Sequence, residues 1–370
     1  MKKALIAAAV AGAFAAPSAM AADLQINLDW SQALQFGEVT TTTAAGVDST
    51  VDTSNVADAG RNRLKFNFTE TLDNGVNVHA YMVFNTGTAA DGGGNVAVRN
   101  ANIGFSGDFG TVNVGTNEHF FETDLIIDPL AADYGNTADA ISHINIGSTG
   151  FTFSRRDGES VWYTSNDMNG IQFRAAYIMG PQTATADADQ DGTQVGLSYT
   201  SGPLFVGVNQ ATYNDYDQGS NNGTIGTAAA VAGTEAKATS LKVSYDFGAF
   251  SVTGAMADIE QSGISQAVTG GTATAISADM KALNVTMPVS GGKVWFGIAE
   301  NGNQDANIDG VTSAIVDSGK DSWDVGYLHN MSAQTYVFVR YGSSETGVNF
   351  DSTVGSTETD ELLFGWLLNY

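Results

Sequence analysis

The sequence predicts an all-β fold, a sixteen-stranded antiparallel transmembrane β-barrel over residues 22–370 behind a signal peptide at 1–21. Three observations carry this. Segments of about ten residues alternate apolar and polar along the chain. Short turns and long polar loops separate those segments in strict rotation. The chain also ends on a stripe in which Leu362, Phe364, Trp366, Leu368 and Tyr370 share one parity. On a water-soluble sheet such a terminal edge is an aggregation hazard. In a barrel within lipid it faces acyl chains, and its aromatic end joins the interfacial girdle.

The beginning of the chain agrees. Lys2 and Lys3 form a basic start, Ala4 to Ala16 is uncharged and apolar, and Ala19-Met20-Ala21 is an A-x-A cleavage pattern. The mature chain is expected to start at Ala22. Its first segment, Leu24 to Trp30, sets apolar residues at even positions. The second, Arg61 to Thr71, puts Leu64, Phe66 and Phe68 on one face, with Arg61, Arg63, Lys65, Asn67 and Thr69 on the other. Leu72-Asp73-Asn74-Gly75 follows as a tight turn, since Asn-Gly supplies the positive φ a short hairpin needs. In the third, Val76, Val78, Ala80, Met82 and Phe84 alternate with Asn77, His79 and Tyr81.

Segments 95–106 and 110–118 meet at Gly107-Asp108-Phe109. After a long insertion, 159–165 and 170–180 join around Asn166 to Asn169, and 193–201 and 204–214 around Gly202. Then 237–247 and 250–259 join at Gly248-Ala249, 278–288 and 293–301 at Gly291-Gly292, and 320–330 and 334–343 near Ser332. Residues 360–370 complete sixteen, an even count with both termini on the short-turn side. Pro129 and Pro181 fall in loops, and Pro203 and Pro288 at or beside turns, so none interrupts a ladder. The acidic stretches 44–58, 184–191, 301–321 and 345–361 read as loops, as do the small-residue stretches 220–234 and 261–277.

Composition narrows the function. The chain has no cysteine, which removes disulfide scaffolds, thiolate metal sites and cysteine nucleophiles. No stretch after the signal approaches the roughly 18 apolar residues of a membrane helix. Lys and Arg total 15 against 40 Asp and Glu, for a net charge of −25, so nucleic acid is not an expected partner. The acidic excess predicts a mild preference for cations.

Several stretches in order resemble the Gram-negative general (non-specific) diffusion porins. Arg63-Leu64-Lys65-Phe66-Asn67-Phe68-Thr69-Glu70 with its Leu-Asp-Asn-Gly turn is similar to the family's second and third strands. Arg99 to Gly107, followed by Phe109-Gly110-Thr111-Val112-Asn113-Val114-Gly115, resembles its most recognisable motif. Arg156-Asp157-Gly158-Glu159-Ser160-Val161-Trp162-Tyr163 resembles its sixth strand, and Asn169 to Phe173 the start of its seventh. The family usually ends on Phe; here Tyr370 keeps the aromatic end, so Phe364, Trp366, Leu368 and Tyr370 are the expected assembly signal. The enteric Pro-Glu-Phe-Gly-Gly element is absent from the insertion.

The resemblance implies a homotrimer whose third external loop folds into the lumen. Its carboxylates would face wall arginines across a constriction. Here the insertion runs from about Glu118 to Ser154, with Glu122, Asp124, Asp128 and Asp133 as the acidic side. Asp124 and Asp128 flank Leu125-Ile126-Ile127, which could pin the loop to the wall. Arg61, Arg63, Arg99 and Arg156 are the expected basic side. The residues support this independently, because Arg61, Arg63, Lys65, Arg99, Arg155 and Arg156 all flank that one acidic insertion. A charge on the lipid face would cost about 2–4 kcal/mol near the midplane, so the lumen is their default place. Arg99 shares parity with Ile103 and Phe105. Either a bulge flips the face between them or the inserted loop packs on Ile103 and Phe105 inside; the second is favoured.

The expected function is passive diffusion of small hydrophilic solutes and ions through a water-filled channel, sorted by size and charge. Outer-membrane lipid and lipopolysaccharide surround it. No catalytic residues, cofactor or metal are expected, because His79, His119, His143 and His329 show neither metal-site nor triad spacing. His119 and His143 lie in or beside the insertion, where protonation could tune conductance, although roleless polar residues are the simpler reading. The alternatives are a plugged barrel acting as adhesin, receptor or structural protein, and a substrate-specific porin.

Overall fold

The computed structural model describes residues 23–43, 45–57, 62–86, 96–120, 127, 156–179, 191–215, 233–268, 271–302, 304–308, 310–314, 319–346 and 354–370. Among them are nineteen strand segments. They begin with β1 (Asp23–Thr43), β2 (Asp48–Ala57), β3 (Arg63–Thr71), β4 (Asn77–Thr86), β5 (Val96–Gly107) and β6 (Gly110–Glu118). After the insertion come β7 (Arg156–Thr164), β8 (Ile171–Met179), β9 (Asp191–Ser201), β10 (Leu204–Asn214), β11 (Glu235–Asp246), β12 (Ser251–Val268) and β13 (Gly271–Val289). The rest are β14 (Gly292–Asn301), β15 (Asp305–Ile308), β16 (Val311–Ala314), β17 (Lys320–Asn330), β18 (Thr335–Thr346) and β19 (Val354–Asn369).

These segments form sixteen staves. β2 and β3 lie end to end along β1, which pairs with β3 through Asp23–Asp29 and with β2 through Ala33–Thr42. β15 continues β14 along β13, and β16 continues β17 beyond the pairing with β14. All the pairings are antiparallel, and β1 closes on β19 from Asp29↔Asn369 up to Thr43↔Val354. Leu28 and Tyr370 exchange backbone hydrogen bonds of 2.6 and 2.8 Å at that seam. Closure leaves no free edge at the level of the seam, which a bilayer demands.

Alternation separates the two faces. Ile26, Met82, Ile103, Phe173, Leu197, Met256, Ile298, Val325 and Phe364 are exposed on the outer face. Their neighbours of opposite parity, such as Ser31, Val83, Asn100, Gln194, Ala257 and Asp324, are buried toward the inside. The terminal stripe obeys this rule: Phe364 and Trp366 face outward with ring centroids 5.0 Å apart. Tyr370 is exposed at the end, and Leu368 sits opposite Trp30 and Thr335. Leu363 and Leu367 turn inward and pack with Ala33, Trp295, Leu328 and Phe338. That accounts for a last strand apolar on both faces.

The expected turns form where glycine permits them. Gly75 takes φ +82° in the Asn-Gly hairpin, and the Asn74 side chain accepts from Val76 N at 3.1 Å. Several stretches expected as loops are partly strand instead. Asp48–Ala57 pairs with β1, 261–277 extends β12 and β13 to Val268 and back from Gly271, 301–321 contains β15 and β16, and β19 starts at Val354. The reason is local. Once a register is set, β-branched polar residues extend a hairpin into water at little cost, as with Thr40 against Thr50 (3.0 Å) and Thr42 donating to Asp48 (2.8 Å).

Candidate pore constriction

The strand registers bring much of the predicted basic wall together. Arg63, on β3, sits opposite Asp29 of β1 and Asn85 of β4, and only 8% of it is exposed. Lys65, two residues on and on the same face, pairs with the Asp29 carboxylate. Arg99 Nη2 lies 3.5 Å and Arg156 Nε 3.8 Å from Glu118 Oε1, so one carboxylate at the end of β6 is shared between two arginines. Arg63, Arg99, Asp29 and Glu118 all act electrostatically on the Tyr81 hydroxyl, which places the group on one stretch of inner wall. Arg63, Arg99 and Arg156 are thus assembled. Arg61, Glu122, Asp124, Asp128 and Asp133 lie outside the described residues, as does the signal peptide.

Arg99 reaches the inside by the route not favoured from sequence. Val83 pairs with Asn100 and Phe84 with Val98, so Arg99 is the extra residue of a β-bulge. The bulge reverses parity. Below it Ile103 faces out and Asn100 faces in, while Arg99 also points inward, its side chain 8% exposed. Ile103 is therefore a lipid-facing residue, and no inserted loop packs on it.

The described residues of the insertion turn inward. His119 and Phe120 leave the end of β6 and contact the inner faces of β7, β9 and β10. Ile127 is buried among Ala211, Ala238, Ala257, Ala278 and Ala299, on the alanine-rich inner face of β10–β14. This is the wall contact anticipated for Leu125-Ile126-Ile127.

Sequence reading missed three inner groups. Arg174 on β8 donates to Asn209 at 3.2 Å, and its guanidinium lies 4.9 Å over the Phe120 ring. Its parity, opposite to exposed Ile171 and Phe173, was the available signal. Asp157, Gln194 and Tyr213 meet beside His119, a convergence of strands far apart in sequence. On the opposite wall Asp324 accepts from Trp295 Nε1 (2.9 Å) and Arg340 Nε (3.2 Å). Arg340 also reaches Glu361 at 2.7 Å, and Gln35 donates to that carboxylate. The Trp295 ring lies over Gly326, where a Cβ would fall 2.1 Å from it, so this large side chain lies flat on the wall. Among the described residues no group of His, Asp and Glu could hold a metal.

Comparison with known proteins fits this geometry. A family model described as Gram-negative porin matches residues 5–349. Among solved structures, an anion-selective porin from Comamonas acidovorans superposes with a TM-score of 0.67 at 18% identity, over 95% of this chain and 100% of that one. A trimer form of the outer membrane protein OmpT of Vibrio cholerae gives 0.64 at 16% identity, with coverages of 95% and 100%. Salmonella typhi OmpF in complex with daunomycin gives 0.55 at 14%, with 94% and 100%. No curated protein sequence matches. At these identities the solved structures speak for the fold, and the family match extends over most of the chain. With its closed sixteen-stave barrel and charged inner wall, the chain belongs to the Gram-negative porin family and is a channel protein of the outer membrane.

Proposed function

We propose that the protein is a general diffusion channel for small hydrophilic solutes and ions, narrowed by the 119–155 insertion. The observation that carries this reading is the pairing of an inward-turned insertion with a basic inner wall. His119, Phe120 and Ile127 lie against the inside, and Arg63, Arg99 and Arg156 line the wall of β3, β5 and β7. In this reading Glu122, Asp124, Asp128 and Asp133 face those arginines across the gap, and Arg61 extends the basic side. Opposed charges across a narrow aqueous path sort solutes by charge as well as size. Transport is passive, and the side chains carry out no reaction.

Net charge is a poor guide to the field inside. Asp258, Glu260, Asp279, Glu300 and Asp321 share the parity of the outward Met256, Ile298 and Trp323, so these acids lie off the solute path. The described inner wall carries Arg63, Lys65, Arg99, Arg156 and Arg174 against Asp29, Glu118 and Asp157. Selectivity is therefore weak, and it is set at the wall.

The outer apolar girdle meets acyl chains, and the outward carboxylates above it meet lipopolysaccharide head groups. A homotrimer is the proposed assembly, in keeping with the trimer form of the Vibrio cholerae protein. Liposome swelling with sugars of graded size tests the reading. Rates should fall smoothly with solute size and show no saturation. A saturating preference for one solute would favour a substrate-specific porin, and absence of swelling would favour a plugged receptor.

A further inference from the structure

We propose that His119, Asp157, Tyr213 and Gln194 are positioning residues, a clamp that closes the neck of the insertion and docks it on the β9–β10 wall. The inference rests on the constriction reading above for its effect on transport. His119 is the first residue after β6 and Asp157 the second of β7, so they mark the two ends of the insertion. Their side chains meet, His119 Nε2 lying 2.5 Å from Asp157 Oδ2. The Tyr213 hydroxyl donates to the same carboxylate oxygen at 2.6 Å and lies 3.0 Å from His119 Nε2. Gln194 donates to the Tyr213 hydroxyl at 3.0 Å, and its carbonyl accepts from Phe120 N at 3.2 Å. Tyr213 belongs to β10 and Gln194 to β9, so the neck is tied to staves two and three beyond β7.

Two features indicate a clamp and not incidental packing. All four residues are at most 2% exposed, and a buried carboxylate is tolerated only when it is paired and hydrogen-bonded. Its partners come from both the neck and the far wall, so release of the neck would leave Asp157, Tyr213 and Gln194 short of partners together. The backbone is also bent to aim Asp157. Gly115 pairs with Ser160 but Asn117 with Asp157, an extra residue on β7 where Glu159 takes φ +48°. This second bulge puts Asp157 on the inner face with Ser160 and Trp162; strict alternation would send it to lipid. His119 stacks on Tyr213 at 5.9 Å and Phe120 meets Trp162 edge-on at 4.8 Å, which seats both neck residues.

The test compares Tyr213→Phe and Asp157→Asn with the unsubstituted chain, each as the intact folded barrel, with Ser198→Ala on β9 as the control. Tyr213→Phe keeps the ring and removes the hydroxyl. Amide exchange across 120–155 should quicken about tenfold, the response to one lost buried hydrogen bond. Open-channel current noise should rise severalfold in planar bilayers, while Ser198→Ala changes neither. The Asp157→Asn/Tyr213→Phe pair should exceed neither single variant by much, because both break one unit. Unchanged exchange in Tyr213→Phe overturns the clamp. Faster exchange with unchanged noise and exclusion limit overturns its role in setting the bore. If the unsubstituted barrel does not conduct but exchange still quickens, the clamp stands and the channel reading fails. Should Asp157→Asn not fold, Tyr213→Phe alone decides.

Discussion

Deleting Arg99 should be tolerated, and deleting Ile103 four residues later should not. Arg99 is the extra residue between the pairs Phe84↔Val98 and Val83↔Asn100. Without it Val98, exposed on the outer face, and Asn100, 2% exposed inside, become neighbours in strict alternation. The strand keeps both faces and loses one arginine. The lost contact is the 3.5 Å pair with Glu118, whose side chain is 38% exposed, and partly solvated pairs are worth at most about 1 kcal/mol. The deleted barrel should therefore unfold within about 1 kcal/mol of the parent.

Deletion of Ile103 is different because the turn at Gly107–Gly110 holds the other end of the strand. The residues before the gap shift by one, and Asn102 and Asn100 move to the lipid face. Each amide placed in an apolar medium costs about 2–7 kcal/mol, and the lost isoleucine adds about 1.5–3 kcal/mol. The sum rivals the roughly 5–15 kcal/mol that holds a typical fold together. Refolding into detergent micelles, followed by electrophoretic mobility of the folded form and by urea titration, reads both variants. A barrel that folds without Ile103 but not without Arg99 would refute the bulge and the facing assigned to β5.

Three further outcomes follow from the inner and outer faces. Phe364→Arg puts a charge on the lipid side of the closing strand and should lower stability in urea by about 2–4 kcal/mol. Asp324→Ala leaves the Trp295 indole and Arg340 Nε without their acceptor and should cost about 3 kcal/mol; Arg340→Met in the same chain should return part of it, as Trp295 fluorescence during unfolding would show. Arg63→Gln with Arg99→Gln should move the zero-current potential under a salt gradient toward cations, with the fold unchanged by circular dichroism.

Much of the barrel was legible in sequence because it follows from a period of two. Leu64, Phe66 and Phe68 against Arg63 and Lys65, the Asn74-Gly75 turn and the outward Phe364–Trp366 pair could each be read from a single segment. The lengths of the staves could not. Thr40–Thr43 and Thr50–Thr53 are polar on both faces, so nothing in their pattern separates a loop from a ladder continuing into water. Bulges were also hidden, since the extra residue at Arg99 or Glu159 is defined only by what the neighbouring strand pairs with. Asp157, Gln194 and Tyr213 were invisible as a site for the same reason: barrel topology brings them to His119, and no spacing in the chain announces it.

Single-channel conductance in a planar bilayer, with the zero-current potential under a salt gradient, tests the channel most directly. Stepwise openings grouped in threes, with a weak selectivity that the double Arg63 and Arg99 substitution shifts toward cations, are the predicted result. Correctly folded barrels that pass no current would contradict a diffusion channel and turn attention to the extracellular hairpins as a binding surface.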